Sequence, residues 1–526
     1  MKKELLATDF LDRATDLYGD STGVITNDGT TYTYAEFGDR VNQLSHALTE
    51  LGIEQGDRVA VLSPNTHWFL ETLYAVTQLG AIHVALNYRL TPEDYRYILD
   101  DCGADVVVAD YEYAGKVQAV RDDVDVDQFV GYEADRIEGA WRSYEELLAG
   151  RPTARPDRPA IEEADPAVIN YTSGTTGDPK GVVRTHRTEH YHALCVTHHM
   201  EIEDSDTYLW TLPMFHCNGW GHEYAITGVG GTHVCQRDFS AERTFEQIRE
   251  HDVSYLCGAP VVLNRLIEHA KETGCETTGD VPVRLATGAN APPESTIRNV
   301  EDEMGWTLIH LYGLTETAPV ITTSNAPAKI AKNGRVYTKN RQGFAVLGAE
   351  LRVVDEDGED VPRDDETMGE IVVRGNQVMD RYWNKPEQTE RAFNDRVEGW
   401  FHTGDIATID ADGMVSICDR KKDIIVSGGE NISSLEVENA IYDHPAVTKT
   451  AVVGIPHEEW QETPLALVVT RADSTLTTAD LESFLREKLA GYKVPTRIEL
   501  VDDEDLPETA TGKIQKTELR DRYAAE

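Results

Sequence analysis

Lysine is scarce in this sequence of 526 residues, where only 16 of the 49 basic side chains are lysine and the other 33 are arginine. Positive charge as a whole is in deficit, because 93 acidic side chains set the formal net charge at −44. That balance excludes a nucleic-acid surface, which needs a basic footprint to hold phosphates. A large charge often signals disorder, but 40 % hydrophobic residues with 8 Trp, 22 Tyr and 11 Phe supply a sizeable core. The acidic runs, such as Asp122 to Asp127 and Asp355 to Asp360, are spread along the chain rather than gathered in one tail. They read as solvated faces of a halophile-type surface, suited to molar salt where the Debye length is about 3 Å. An acidic partner-binding face is the competing reading.

Closely spaced cysteines are missing too. The seven present, Cys102, Cys195, Cys217, Cys235, Cys257, Cys275 and Cys418, are odd in number and contain no C-x-x-C pair, so neither a disulfide framework nor a zinc site is indicated. A reducing, cytoplasmic setting is expected. No long apolar run is present: Trp68 to Tyr88, the most apolar stretch, is broken by Glu71, Thr72, Gln78, His83 and Asn87. It falls short of the roughly 18 uninterrupted apolar residues of a membrane span. The opening MKKELLATDFLDRAT has no apolar centre and does not read as a signal peptide.

What is present is an alternation of periods. Tyr34 to Leu51 sets Phe37, Val41, Leu44, Leu48 and Leu51 at helical spacing, and RVAVLS follows as a buried strand. His67 to Leu79, AIHVALN, TPEDYRYILDDC and ADVVVAD continue as helix, strand, helix and strand. Such alternation predicts a mostly parallel sheet covered by helices. Arg151 to Pro166, rich in proline and charge, reads as a linker. From Phe344 short strands separated by D-G and G-G turns predict a β-rich unit, and the last hundred residues read as a compact α+β unit. At about 150 residues per domain, the length suggests three or four folding units.

Tyr171 to Val182 reads YTSGTTGDPKGV and follows the apolar strand VINY. Two glycines that let N–H groups turn inward, hydroxyls at Ser173, Thr175 and Thr176, and the ammonium of Lys180 are the material of a phosphate cradle. It is not a Walker A loop, since Pro179 intervenes before the lysine. The string from Thr172 to Lys180 resembles the signature of the adenylate-forming (ANL) superfamily, which holds acyl-CoA synthetases, peptide-synthetase adenylation domains and beetle luciferases. Further matches run in the expected order from about Tyr32 to Arg520: LPMFHCNGWG, TGANAPP, YGLTET, GWFHTGDIATID, DRKKDIIVSGGENISSLEVE and LPETATGKIQK.

The resemblance implies an AMP-forming acyl-CoA synthetase, a ligase that joins a carboxylate to coenzyme A through an acyl-adenylate, using ATP and Mg²⁺. The implied fold is α/β: a large multi-subdomain N-terminal domain over 1–421 with mostly parallel sheets and a β-rich unit, then a small mobile α+β domain over 422–526. Thr172, Ser173, Gly174, Thr175, Thr176, Gly177 and Lys180 are implied as the phosphate site. Gly288, Ala289, Asn290, Tyr312 and Gly313 are implied to lie along adenine, Thr315 at the α-phosphate, and Asp405 and Arg420 at the ribose. Ala289 departs from the second glycine of many members. Glu316 is the implied Mg²⁺ ligand, a carboxylate suited to a hard cation. His216, Trp220, Gly288 and Val320 are implied to shape the acyl pocket, and HCNGW with Trp220 resembles fatty-acid and short- to medium-chain acyl-CoA ligases. Lys422 is implied as the hinge, and Gly428 and Gly429 as the wall of the CoA tunnel. Lys513 is implied as the catalytic lysine beside Thr172, His216 and Glu316. A free-standing enzyme that loads a carrier protein, a ligase of aryl or short sulfur-containing acids, a luciferase-like monooxygenase and a non-enzymatic nucleotide or acyl-CoA sensor remain alternatives. The sequence leaves the oligomeric state open, a homodimer included.

Overall fold

The computed structural model describes residues 3–172, 179–288, 291–325, 330, 339–428, 430–457, 460–471, 474–508 and 514–523. Ser173, Gly174, Thr175, Thr176, Gly177, Ala289, Asn290, Gly429 and Lys513 therefore lie outside the described residues.

The alternating periods of the first part build two sheets. One has eight strands, running Arg381–Tyr382, Lys180–Thr185, Pro166–Thr172, Ile82–Leu86, Arg58–Leu62, Val106–Asp110, Gln128–Tyr132 and Arg142–Ser143. It is parallel from Pro166–Thr172 onward and closes on the other side with antiparallel strands. The other has nine strands and is parallel from Thr307–Tyr312 to Thr22–Ile25, with antiparallel strands at both edges. Strands buried on both faces explain the continuous apolar runs VAVL and VVVA.

The two sheets share a core. The helix His67–Gln78 is buried along almost its whole length, and its side chains join residues of both sheets in one cluster. Of the polar residues that interrupt the apolar stretch after Trp68, Glu71, Thr72 and Gln78 are hydrogen-bonded inside the fold, whereas both ring nitrogens of the buried His83 lack a hydrogen-bond partner. Glu71, fully buried, takes Arg40 Nε at 2.6 Å and the Tyr144 hydroxyl at 2.7 Å. Among the described residues no helix is long and apolar enough to cross a membrane. The proline-rich segment before Pro166 packs against the first helix through Arg158, whose fork meets Asp12 at 2.6 and 2.8 Å.

The β-rich unit is a four-stranded antiparallel sheet in the order Glu350–Val354, Gly369–Arg374, Phe401–Ile409, Val415–Arg420. The C-terminal unit has its own five-stranded sheet, centred on the long pair Val447–His457 and Gln461–Thr470, with helices Ser434–Tyr442 and Thr478–Arg486 over it. A large α/β body with parallel sheets is thus followed by a smaller α+β unit.

Candidate active site

The phosphate loop sits in a hairpin. Strands Pro166–Thr172 and Lys180–Thr185 run antiparallel, and Thr172 pairs directly with Lys180. Directly paired residues share a sheet face, so both ends of the loop present their side chains together. The β-branched run after Gly181 explains why a strand rather than a helix follows the loop. The Lys180 ammonium lies 5.1 Å from the centre of the Tyr382 ring, within cation–π range. Tyr382 in turn donates its hydroxyl to Glu316 Oε1 at 2.8 Å. Burial, then the neighbouring Glu316 carboxylate, pushes the Tyr382 phenol far up, which keeps it a donor. The backbone also holds Glu316, since Met379 N–H donates to its carbonyl at 2.7 Å. Residues 180, 316 and 382 thus converge. Tyr382 was not singled out in the sequence, where only the aromatic pair ahead of N-K-P marks it.

A second constellation forms around Asp405. It faces Arg420 across the antiparallel strands of the β-rich unit, and its two oxygens are divided between neighbours. Tyr312 donates its hydroxyl to Oδ2 at 2.6 Å, and Arg420 Nε meets Oδ1 at 2.8 Å. Asp405 is buried, whereas the Arg420 side chain is 41 % exposed, so the pair opens at one side to solvent. Gly313 is required beside it: a Cβ there would lie 1.3 Å from the Pro319 carbonyl oxygen. Lys422 follows in the turn 421–423, where Lys421 and Lys422 are exposed, and Gly428 has a left-handed φ of 59° with its N–H on the Trp460 carbonyl at 2.9 Å.

The third element is a turn of unusual hand. From Cys217 to Gly221 all five residues have positive φ, at 48°, 44°, 57°, 58° and 77°. Left-handed conformation costs about 1–2 kcal/mol for each residue with a side chain, and the surroundings hold it in place. Asn170 donates to the Asn218 amide oxygen at 2.9 Å, His222 Nδ1 reaches the Gly219 carbonyl at 2.9 Å, and the Cys217 thiol meets the Thr315 hydroxyl at 3.1 Å. Gly219 and Gly221 leave room for nothing else. A Cβ at Gly219 would stand 2.4 Å from the Trp210 ring, and one at Gly221 would stand 2.5 Å from His192 Nδ1.

This turn sets His216 at its start and buries Trp220. The tip of the indole stands 3.0 Å from where a Cβ on Gly288 would be, with Leu311 Cδ1 at 2.9 Å from the same point. Val320, also buried, donates its N–H to His192 Nε2 at 3.3 Å. The four residues read as acyl-pocket positions therefore gather around one turn. The bond between Cys217 and Thr315 joins that wall to the YGLTET segment.

ATP and Mg²⁺ suit these donors: a carboxylate at Glu316 with one oxygen steadied by a phenol, a hydroxyl at Thr315, and an ammonium at Lys180. The comparisons agree. Residues 11–383 match the AMP-binding enzyme family and residues 436–513 the AMP-binding enzyme C-terminal domain. The chain belongs to the AMP-binding enzyme family. It is 38 % identical to the probable acyl-activating enzyme 5, peroxisomal, of Arabidopsis thaliana, over 97 % of this chain and 94 % of that one. It is 37 % identical to the 2-methylpropanoate–CoA ligase CCL4 of Humulus lupulus over the same shares. Among solved structures, ATP-bound MatB from Rhodopseudomonas palustris superposes with a TM-score of 0.85 at 28 % identity, covering 98 % of this chain and 99 % of that one. The o-succinylbenzoate CoA synthetase of Bacillus subtilis, in complex with its acyl-adenylate, gives 0.84 at 26 % identity over 99 % of both chains. This chain is accordingly an acid–thiol ligase, an AMP-forming acyl-CoA synthetase.

Proposed function

We propose that this ligase activates short- to medium-chain carboxylic acids. The observation that carries this is Trp220, whose buried indole, on the left-handed turn, packs together with Leu311 against the Gly288 backbone, an arrangement that would shorten the acyl side of the site. A relative, the butyrate–CoA ligase AAE11, peroxisomal, of Arabidopsis thaliana, 36 % identical, is named for a short acid.

In the reaction a carboxylate oxygen attacks the α-phosphorus of ATP, the bond to pyrophosphate breaks, and an acyl-adenylate forms. The CoA thiol then attacks the acyl carbon and AMP leaves. Such chemistry asks the protein mainly for positioning and for charge that meets developing charge. Thr172, Lys180 and the loop 173–177 would cradle the phosphates, Thr315 would face the α-phosphate, and Tyr312, Asp405 and Arg420 would hold the nucleoside. Mg²⁺ on Glu316 would neutralise phosphate oxygens. Lys513 would serve the first step, and rotation of 422–526 about Lys422 would bring Gly428 and Gly429 to CoA for the second. His216 would border the reacting carboxylate. The seven cysteines, odd in number and without a C-x-x-C pair, support a reducing, cytoplasmic setting.

The acidic, lysine-poor surface supports a high-salt habitat, where about 1 M salt shortens the Debye length to about 3 Å. One assay tests both parts: pyrophosphate release over a panel of straight-chain acids from acetate to palmitate with aryl acids alongside, at about 0.1 M and about 2 M KCl. The expected outcome is a maximum in turnover at short or medium chain length and activity lost at the lower salt. A maximum at palmitate or an aryl acid overturns the acyl assignment, and full activity at the lower salt overturns the habitat.

A further inference from the structure

Glu370 is a buried carboxylate that the reaction above does not use. It lies on the strand Gly369–Arg374, 3 % exposed, and its two oxygens face different tasks. Oε1 accepts the N–H of Gly404, the residue before Asp405, at 3.2 Å. Oε2 takes the Lys421 ammonium at 3.1 Å, the residue between Arg420 and Lys422. Lys421 is tied to the same place by its backbone, since its N–H donates to the Gly404 carbonyl at 2.9 Å.

The surroundings keep Glu370 ionised. The Nε2 atom of His402 accepts N–H groups from Arg396 and Val397 at 3.3 and 3.2 Å, so its proton sits on Nδ1, 3.5 Å from Glu370 Oε2. Burial alone would raise the Glu370 carboxyl, but His402 and Lys421 outweigh it and hold it at about 2. Glu370, Asp395 and His402 bring three ligand-type atoms within 4.8 Å of one another. Lys421, 3.1 Å from Glu370 and 3.8 Å from Asp395, already stands there as the cation, so the cluster serves as an ion-pair anchor and not as a metal site. On the far side of the turn the small unit has an anchor of its own. Arg520 donates to the Lys422 carbonyl and to Asp423 Oδ1, the latter at 2.6 Å.

We infer that Glu370 is a positioning residue with two functions: through Gly404 it sets Asp405 for the ribose, and through Lys421 it fastens the chain to the large body up to residue 421. With Arg520 fastening residues 422 and 423 to the small unit, rotation is confined to the junction of Lys421 and Lys422. A pivot confined to one junction returns the small unit to a defined second pose, whereas a loosened one spreads it over many.

The inference rests on the roles proposed for Asp405 and Lys422, and four variants separate the two. AMP binding is measured by calorimetry, and the thioester step by single turnover of acyl-adenylate with CoA, using the acid the wild type prefers. Asp405→Ala is the control for the ribose role. Glu370→Ala is expected to weaken AMP binding about tenfold, the scale of one lost hydrogen bond to a charged group. Glu370→Gln keeps an acceptor for Gly404 and is expected to bind AMP within about threefold of wild type, yet to slow the thioester step about fivefold. Lys421→Met is expected to leave AMP binding within about twofold and to slow the thioester step by the same factor as Glu370→Gln. Should Glu370→Ala fail to fold, the other two variants carry the test. If Lys421→Met and Glu370→Gln leave the thioester step unchanged, or slow it only in proportion to AMP binding, the inference is overturned. If Asp405→Ala binds AMP normally, it is the ribose reading that fails.

Discussion

The turn Cys217–Gly221 and the strand pair carrying Asp405 and Arg420 hold their side chains by different means. The turn accepts an unfavourable backbone, three non-glycine residues at about 1–2 kcal/mol each. It is fixed mainly by uncharged partners, the Asn170 amide, the Thr315 hydroxyl, the His222 imidazole and the faces of Trp210 and His192, with one contact from the buried Arg184 guanidinium to the Cys217 carbonyl at 3.4 Å. The strand pair is mostly extended, interrupted by Gly404 at a φ of 72° and by a register shift between Ile406 and Ala407, and what distinguishes it is charge, with Asp405 buried and Arg420 part-exposed beside the proposed pivot. The contrast fits the tasks proposed for the two regions, an acyl wall and a nucleoside clamp. An acyl wall must keep one shape whatever the domain pose, which close packing enforces. A nucleoside clamp must let its ligand go, and an ion pair with one exposed partner gives way at modest cost.

The largest expected effect comes from attacking the turn by volume. Gly219→Ala places a methyl group 2.4 Å from a Trp210 ring that cannot retreat, because its indole N–H is bonded to His233 at 3.1 Å. Overpacking of this kind costs about 1–3 kcal/mol and the left-handed φ adds to it. The acid kcat/KM should fall by about 100-fold while AMP binding stays within about threefold. Steady-state kinetics beside an AMP titration checks this, and equal losses in both would show that wall and clamp are one unit. Next in size, Asp405→Asn keeps the shape of the clamp and removes its charge. It should weaken ATP and AMP binding about tenfold with the KM for the acid unchanged, again read by titration and initial rates.

Both constellations were legible in the sequence to different depths. The alternation of periods predicted parallel sheets because each buried strand is apolar throughout. The motif strings carried the site because Thr172 and Lys180, or Glu316 and Thr315, are near neighbours along the chain. Partners joined only by tertiary structure were not legible. Tyr382 meets Glu316 across 66 residues and Tyr312 meets Asp405 across 93, and no local pattern announces either pair. Glu370 looked like one more acidic residue in an acidic chain; its burial made it distinct. In NGWG the two glycines are plain to see, but the left-handed run through Cys217, Asn218 and Trp220 is imposed by the groups packed around it.

The smallest expected effect separates the turn from the strand pair by acid. His222 Nδ1 faces the Gly219 carbonyl, so it carries the proton, while Nε2 accepts the Tyr255 hydroxyl at 2.8 Å. Burial lowers this imidazole from 6.5 to about 4. Between those two values the unfolded chain binds a proton that the folded chain does not, so acid favours unfolding. The stability tied to His222 is complete above about pH 6.5, falls by about 1.4 kcal/mol per pH unit below it, and levels off near 4. Glu370, held at about 2 against an ordinary 4.5, contributes stability that is present above 4.5 and lost only as the pH falls toward 2. Lowering the pH from about 7.5 to about 5.5 should therefore reduce the stability difference between wild type and His222→Gln by about 1.4 kcal/mol in urea unfolding. The difference between wild type and Glu370→Gln should stay constant over that interval. A shift in the second difference with none in the first would mean that the turn, not the clamp, is the charged and yielding partner.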